Sequence, residues 1–116
     1  MRALTPETEV YVWLGVMDMR VSFDRLSIFI KEKLQRTPLG GGLYVFFSRR
    51  RDRVRILYWD RDGYCLWYKR LEAGAYRVEQ KDGYEQLTGL DLQQVLEGLD
   101  LSRIKLRKSA EKGLYS

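Results

Sequence analysis

Three consecutive arginines are the feature of this sequence with the clearest chemistry. Arg49, Arg50 and Arg51 follow one apolar run and, together with Asp52, separate it from the next. A short charged connection between apolar runs indicates a hairpin turn, and guanidinium groups bind phosphate bidentately. We therefore predict that these arginines project outward from a hairpin tip and contact nucleic-acid phosphates. The alternative is a solvated set of charges that keeps this end of the sheet from aggregating.

A second turn, Asp60-Arg61-Asp62-Gly63, predicts how the strand before it pairs with the strand after it. If it closes a hairpin, the opposed residues are Trp59 and Tyr64, Leu57 and Leu66, Arg55 and Tyr68, and Arg53 and Arg70. Side chains alternate across a sheet, so these eight residues share one face.

That face combines guanidinium groups with aromatic rings: Arg53, Arg55, Arg70, Trp59, Tyr64 and Tyr68, extended by Tyr44 and Phe46. Opposed arginines repel one another unless an anion or a carboxylate lies between them, and exposed rings can stack on bases. We predict a nucleic-acid-binding face. Two alternatives stay open. In one, carboxylates neutralise the arginines (Asp18, Asp24, Glu72 or Glu79) while the rings fill a second core layer beneath another helix; in the other, the face binds a protein.

The opposite face of the same strands is apolar and is expected to form the core: Val45, Phe47, Val54, Ile56 and Trp67. Apolar residues then recur at helical steps after Ser22, which has the chemistry of an N-cap: Phe23, Leu26, Ile30 and Leu34. We expect this amphipathic helix to cover the apolar face.

The remaining segments complete an α+β pattern. Residues 9 to 14 predict a first strand, and residues 37 to 42, with Pro38 and three glycines, predict a loop. Thr88 and Asp91 have the spacing of a capping box ahead of a short helix over residues 89 to 99. Further strands are predicted over residues 43 to 48, 54 to 59, 64 to 71 and 76 to 79, while residues 84 to 87 fit no single pattern. The sequence thus predicts an antiparallel sheet of four to five strands, built from consecutive hairpins and packed by one main helix.

Basic residues dominate the chain after Leu101. We predict a single α+β domain over residues 1 to 101 and a basic, flexible tail over residues 102 to 116. Within that tail Lys105, Arg107 and Lys108 are assigned to a phosphate-contacting arm. The alternative is an end that only keeps the protein soluble.

Composition excludes several kinds of site. The 116 residues include no His and one Cys, Cys65, so the common zinc ligand sets, an intramolecular disulfide and His-based triads cannot form. Asp60 and Asp62 could hold a divalent ion, but Asp-Arg-Asp-Gly is ordinary turn chemistry and Arg61 would repel a metal. We therefore expect no catalytic residue, no metal and no cofactor.

The net charge of +5 favours a polyanionic partner. The first residues lack an apolar core of signal-peptide length, and no apolar run is long enough to span a membrane. We expect a cytoplasmic protein that does not bind membranes.

Much of the chain, roughly residues 9 to 101, resembles a known family. The matching segments are Val12-Trp13-Leu14-Gly15, Asp18-Met19-Arg20, Ser22-Phe23-Asp24, the run from residue 52 to 60 and the run from residue 62 to 71. They resemble the small accessory protein, often labelled TnpB or the second open reading frame, of insertion sequence 66 type bacterial transposons.

The resemblance implies a bacterial accessory protein of DNA transposition, encoded beside a larger transposase that holds the catalytic carboxylates. With the arginine and aromatic face, it predicts a non-catalytic protein that binds DNA at the element ends and works with the transposase and other element-encoded proteins. The alternative is a protein-interaction module that docks on the transposase without touching DNA.

Overall fold

The computed structural model describes residues 3 to 115, with the side chains of residues 3 to 110. The elements in that range are β1 (Glu9–Val16), α1 (Phe23–Leu34), a 3-10 turn (Pro38–Gly40), β2 (Leu43–Phe47), β3 (Arg53–Asp60), β4 (Gly63–Arg70), β5 (Tyr84–Thr88), α2 (Gly89–Leu96) and α3 (Leu101–Tyr115). The five strands form one sheet in the order β4-β3-β2-β1-β5. The predicted α+β class is confirmed.

The sheet is mixed, because β1 and β2 run parallel to each other. We expected hairpins throughout, but α1 carries the chain back to the start of β2, and a crossover of this kind joins parallel strands. The helix begins after the predicted N-cap: Ser22 Oγ accepts a hydrogen bond from the Arg25 backbone N–H (3.3 Å). It ends at Leu34, and the C-cap residue Gln35 takes a left-handed conformation with φ of 55°.

The predicted register of the hairpins is confirmed. Trp59 lies opposite Tyr64 and Arg53 opposite Arg70 in the β3–β4 pair, while Val45 lies opposite Ile56 in the β2–β3 pair. In the turn between β3 and β4, Arg61 takes a positive φ of 56°.

The strand predicted over residues 76 to 79 is absent, and β5 takes the place beside β1. Tyr76 and Val78 are buried in the core without joining the sheet. The Tyr76 backbone N–H donates to the carbonyl of Arg51 (2.8 Å) instead of to a strand. The alternation of apolar residues in this segment therefore predicted correctly which side chains are buried, but it did not predict the backbone hydrogen bonding.

The main helix covers the face that we had assigned to nucleic acid. Leu26, Ile30 and Leu34 of α1 are buried against a cluster that includes Tyr44 and Phe46. The prediction that α1 packs on Val54 and Ile56 is wrong. Strands β1 and β2 are apolar on both faces, so each face needs a cover and alternation alone does not say which helix supplies it.

Helices α2 and α3 cover the other face. Leu92 and Val95 of α2 pack there with Leu101 and Ile104 of α3, and the predicted capping box of Thr88 and Asp91 is present. The chain from residue 102, where we expected a flexible tail, continues as α3, and Ile104 is fully buried. Ile104 therefore packs in the core, although it lies beyond residue 101.

The close approach of Gly89 to the N-terminal segment gives a test of this packing. A Cβ at Gly89 would lie 2.6 Å from the carbonyl oxygen and 2.7 Å from the backbone nitrogen of Thr5, whereas a Cβ at Gly40 would meet nothing within 4 Å. We expect Gly89→Ala to lower the free energy of unfolding by about 1–3 kcal/mol and Gly40→Ala to change it by less than about 0.5 kcal/mol. Urea denaturation measures both. Equal stability of the two variants would contradict the packing of Thr5 on α2.

Candidate nucleic-acid interface

The turn between β2 and β3 is held by local hydrogen bonds around Ser48. The Arg51 backbone N–H donates to the Ser48 carbonyl (3.0 Å). The Ser48 hydroxyl donates to the Asp52 carboxylate (3.0 Å) and accepts from the Arg53 backbone N–H (3.1 Å). These bonds fix the backbone of the turn and therefore the points at which its arginine side chains leave it.

Arg51 points into the protein, and the prediction that it projects outward is wrong. Its side chain is only 6% exposed, and its backbone has a positive φ of 59°. The guanidinium donates to five backbone carbonyls: those of Val78 (3.1 Å), Ser48 (3.3 Å), Gly15 (3.4 Å), Glu79 (3.4 Å) and Leu14. Burial lowers the pKa of Arg51 from its usual value, and the five acceptors offset the cost of removing the charge from water.

Arg49, Arg50 and Arg53 are the arginines that the turn leaves in solvent. Together with Ser48 and Asp52 they surround a shallow depression of about 240 Å³. Among the described residues, no ion pair involves any of these three arginines. We call Arg49, Arg50 and Arg53 the arginine turn.

Three residues of the predicted aromatic and arginine face belong to the core. Tyr44 and Phe46 are each 1% exposed, and Arg55 is 6% exposed. Arg55 Nη1 donates to the carbonyl of Val21 (2.7 Å), just before α1. Burial lowers the pKa of Arg55, although the nearby Tyr68 and Asp18 act in the opposite direction. For this part of the face, the alternative to nucleic-acid binding, in which the rings fill a second core layer beneath a helix, is the correct description.

The outer part of the face, at the edge strand β4, stays accessible. Tyr68 is 46% exposed, and Arg70 is exposed beside Glu72, with 3.2 Å between Nη2 and Oε1. Trp59 and Tyr64 are half-buried and contact each other edge to face, with centroids 5.1 Å apart. The Tyr64 hydroxyl is also 3.0 Å from the hydroxyl of Ser27 on α1, so this ring is fixed by the helix.

The basic residues predicted to form a C-terminal arm are paired with the domain itself. Lys105 forms an ion pair with Glu85, and Lys108 forms one with Asp91. Arg107 Nη2 donates to the side-chain carbonyl of Gln94 (2.9 Å). The neighbouring Glu85 raises the pKa of Lys105. These contacts tie α3 to β5 and α2, so the three residues do not converge with the arginine turn.

Sequence reasoning missed an apolar groove on the outer side of α1. Met17, Val21, Ile28 and Phe29 line a cavity of about 450 Å³, whose charged lining residues are Arg25 and Glu32. Ile28 is 56% exposed. The signal was present as a second helical stripe at residues 25, 28, 29 and 32, but the stronger stripe that points into the core obscured it.

The described part of the chain has neither a metal-binding cluster of side chains nor a helix that could span a membrane. No three His, Cys, Asp or Glu side chains gather there in a way that could hold a metal ion. No helix in the same region combines the length and the apolar content needed to cross a bilayer.

A family model described as IS66 Orf2 like protein matches residues 8 to 106. The chain belongs to this family. Two relatives from Sinorhizobium fredii (strain NBRC 101917 / NGR234) match over most of their length. Protein y4hO is 33% identical over 94 residues, covering 78% of this chain and 82% of the relative, and y4jC is 32% identical over 90 residues, covering 77% of each. No solved structure matches the chain.

As an IS66 Orf2-like protein, the chain is a transposition-associated accessory protein. The long motif over residues 52 to 71 forms the β3–β4 hairpin. In the motif Asp18-Met19-Arg20, the Asp18 carboxylate accepts from Arg20 Nε (3.1 Å) and Nη2 (2.9 Å). These bonds and the Arg20 backbone N–H lower the pKa of Asp18 to about 2. Asp18 is thus paired with Arg20, and it forms no ion pair with the arginine turn.

The burial of Arg51 predicts a large difference between neighbouring arginines. Arg51→Met fills much of the same space but removes the guanidinium that donates to five carbonyls, so we expect the free energy of unfolding to fall by about 2–4 kcal/mol. Arg50→Met, at an exposed position of the same turn, should change it by less than about 0.5 kcal/mol. Chemical denaturation followed by tryptophan fluorescence compares the two. Similar effects at both positions would show that Arg51 does not anchor the turn.

Proposed function

We propose that this IS66 Orf2-like protein is a non-catalytic accessory factor that binds DNA phosphates through the arginine turn. The observation that carries the proposal is the arrangement of Arg49, Arg50 and Arg53 around one depression on a turn with a fixed backbone. Each guanidinium can donate two parallel hydrogen bonds to a phosphate. Three of them on one short turn can span neighbouring phosphates of one strand.

The absence of internal ion pairs at the arginine turn, within the described residues, supports this use. Four other basic side chains of the domain are already partnered by carboxylates: Arg70 by Glu72, Lys105 by Glu85, Lys108 by Asp91 and Arg20 by Asp18. A free guanidinium gains more from a phosphate than one that must first leave a carboxylate. Arg70 and Tyr68 lie further along the same face and would make secondary contacts, the ring by stacking on a base.

Contacts of this kind position a protein on DNA without reading its sequence. The protein would therefore hold DNA at the element ends while a separate transposase chooses the sites and performs the chemistry. The net charge of +5 adds long-range attraction to any DNA segment.

The test compares two variants that lose the same charge. The first is Arg49→Gln/Arg50→Gln/Arg53→Gln at the arginine turn; the control is Lys31→Gln/Lys33→Gln/Arg61→Gln at other exposed positions. Affinity for duplex DNA from an element end is measured by fluorescence anisotropy at increasing salt. Log K falls as log salt rises, and each lost phosphate contact makes this negative slope shallower by about 0.9. We expect the slope to become shallower by about 2–3 units in the first variant and by less than about 1 in the control.

Equal losses in the two variants would mean that only net charge matters, and the arginine turn would then not be the DNA site. No binding of the unaltered protein at low salt would reject DNA as the partner. Arg51 is left intact in both variants because its replacement would destabilise the fold.

Docking on the transposase is the second candidate function, and the position of β4 favours it. The strand ends the sheet, and in the described structure no strand pairs with its outer side. An extended peptide could add there by backbone hydrogen bonds, and the exposed Lys69 and Arg70 would favour an acidic segment. If this is the function, Lys69→Glu/Arg70→Glu should weaken binding to purified transposase about tenfold in titration calorimetry, while the arginine-turn variant leaves it unchanged. The reverse pattern would exclude β4 as the docking edge.

A further inference from the structure

The outer groove on α1 is an apolar surface with charges at both ends. Arg25, Ile28, Phe29 and Glu32 follow one another at steps of three, one and three residues, so they form a single stripe along two turns of helix. Ile28 is largely exposed. Phe29 is held in place from below, because its ring lies edge-on to Trp13 (4.9 Å between centroids) and to Phe46 (6.1 Å). The stripe therefore combines one largely exposed apolar residue with a second apolar residue whose ring is held by the core.

The two charged residues of the stripe are not used inside the protomer. Within the described residues, no ion pair involves Arg25 or Glu32. They are seven residues apart, about 10 Å along the helix axis, so they do not neutralise each other in the same helix.

The spacing is self-complementary under a two-fold axis. The midpoint between Arg25 and Glu32 falls between Ile28 and Phe29, the two apolar residues of the stripe. If a second α1 packs antiparallel with the axis at that midpoint, each Arg25 lies opposite Glu32 of the other copy, and the apolar residues meet at the centre. Two-fold contacts of this isologous kind are the usual basis of homodimers.

We propose that two copies of this chain dimerise through α1, with the groove of each copy filled by Ile28 and Phe29 of the other. The Arg25–Glu32 ion pair is made twice by symmetry, and both copies of it lie at the rim of the apolar contact, as in other protein interfaces. The same pairing in the parallel direction brings Arg25 against Arg25 and Glu32 against Glu32, so charge selects the antiparallel arrangement. The dimer does not depend on DNA binding, and it would carry two arginine turns.

Charge exchange tests the proposal directly by sedimentation equilibrium. Arg25→Glu makes both ends of the stripe acidic and Glu32→Arg makes both ends basic, so each variant should dimerise at least about tenfold more weakly than the unaltered chain. An equimolar mixture of the two variants restores opposite charges at both contacts, and we expect heterodimers with about the original affinity. The double variant Arg25→Glu/Glu32→Arg should also recover.

Lys31→Glu is the matched control, since Lys31 is exposed on α1 but lies outside the stripe, and it should leave the dimer unchanged. A chain that sediments as a monomer up to about 1 mM, where even a Kd of that size gives a measurable dimer, overturns the proposal. A dimer that is insensitive to the single charge reversals, or that is not restored in the mixture, overturns the α1 contact. Circular dichroism of each variant separates loss of folding from loss of dimerisation.

Discussion

The guanidinium of Arg51 links three parts of the structure through hydrogen bonds to their backbone carbonyls. It donates to the turn itself at Ser48, to the end of β1 at Leu14 and Gly15, and to the irregular segment at Val78 and Glu79. A buried charge is tolerated only when its hydrogen-bonding capacity is used, and here five carbonyls use it. The consequence reaches the surface: with Arg51 drawn inward, the backbone of the turn is fixed and Arg49 and Arg50 are left outside.

The coverage of both sheet faces decides which of the other basic and aromatic residues remain available. Helix α1 covers one face of the sheet, where Tyr44, Phe46 and Arg55 are buried. Helices α2 and α3 cover the other face. The sheet order leaves β4 at one edge, where no strand of the described structure pairs with its outer side. Of the features discussed above, the arginine turn, the exposed residues Tyr68 and Arg70 of β4, and the groove on α1 remain accessible to a partner.

Local patterns in the sequence predicted most of the elements and their pairing. The register of β3 and β4 followed from the turn at Asp60, because a closed turn leaves one pairing for each residue. The N-cap at Ser22 and the capping box at Thr88 followed from short-range hydrogen bonding. The parallel pairing of β1 and β2 did not follow, since it depends on where α1 returns the chain. Nor did the place of Ile104, because one buried residue in a basic segment has too weak a periodicity to predict a helix.

The candidate site divides in the same way. The sequence by itself determined that arginines gather at a hairpin turn and alternate with aromatic rings on one side of the sheet, because alternation and turn chemistry act over a few residues. Only the tertiary structure decided that Arg51 and Arg55 are buried while Arg49, Arg50 and Arg53 face solvent. Three adjacent arginines are chemically equal in the sequence, and they become different when carbonyls from distant segments at residues 14, 15, 78 and 79 converge on one of them. That convergence is long-range, so no local pattern records it.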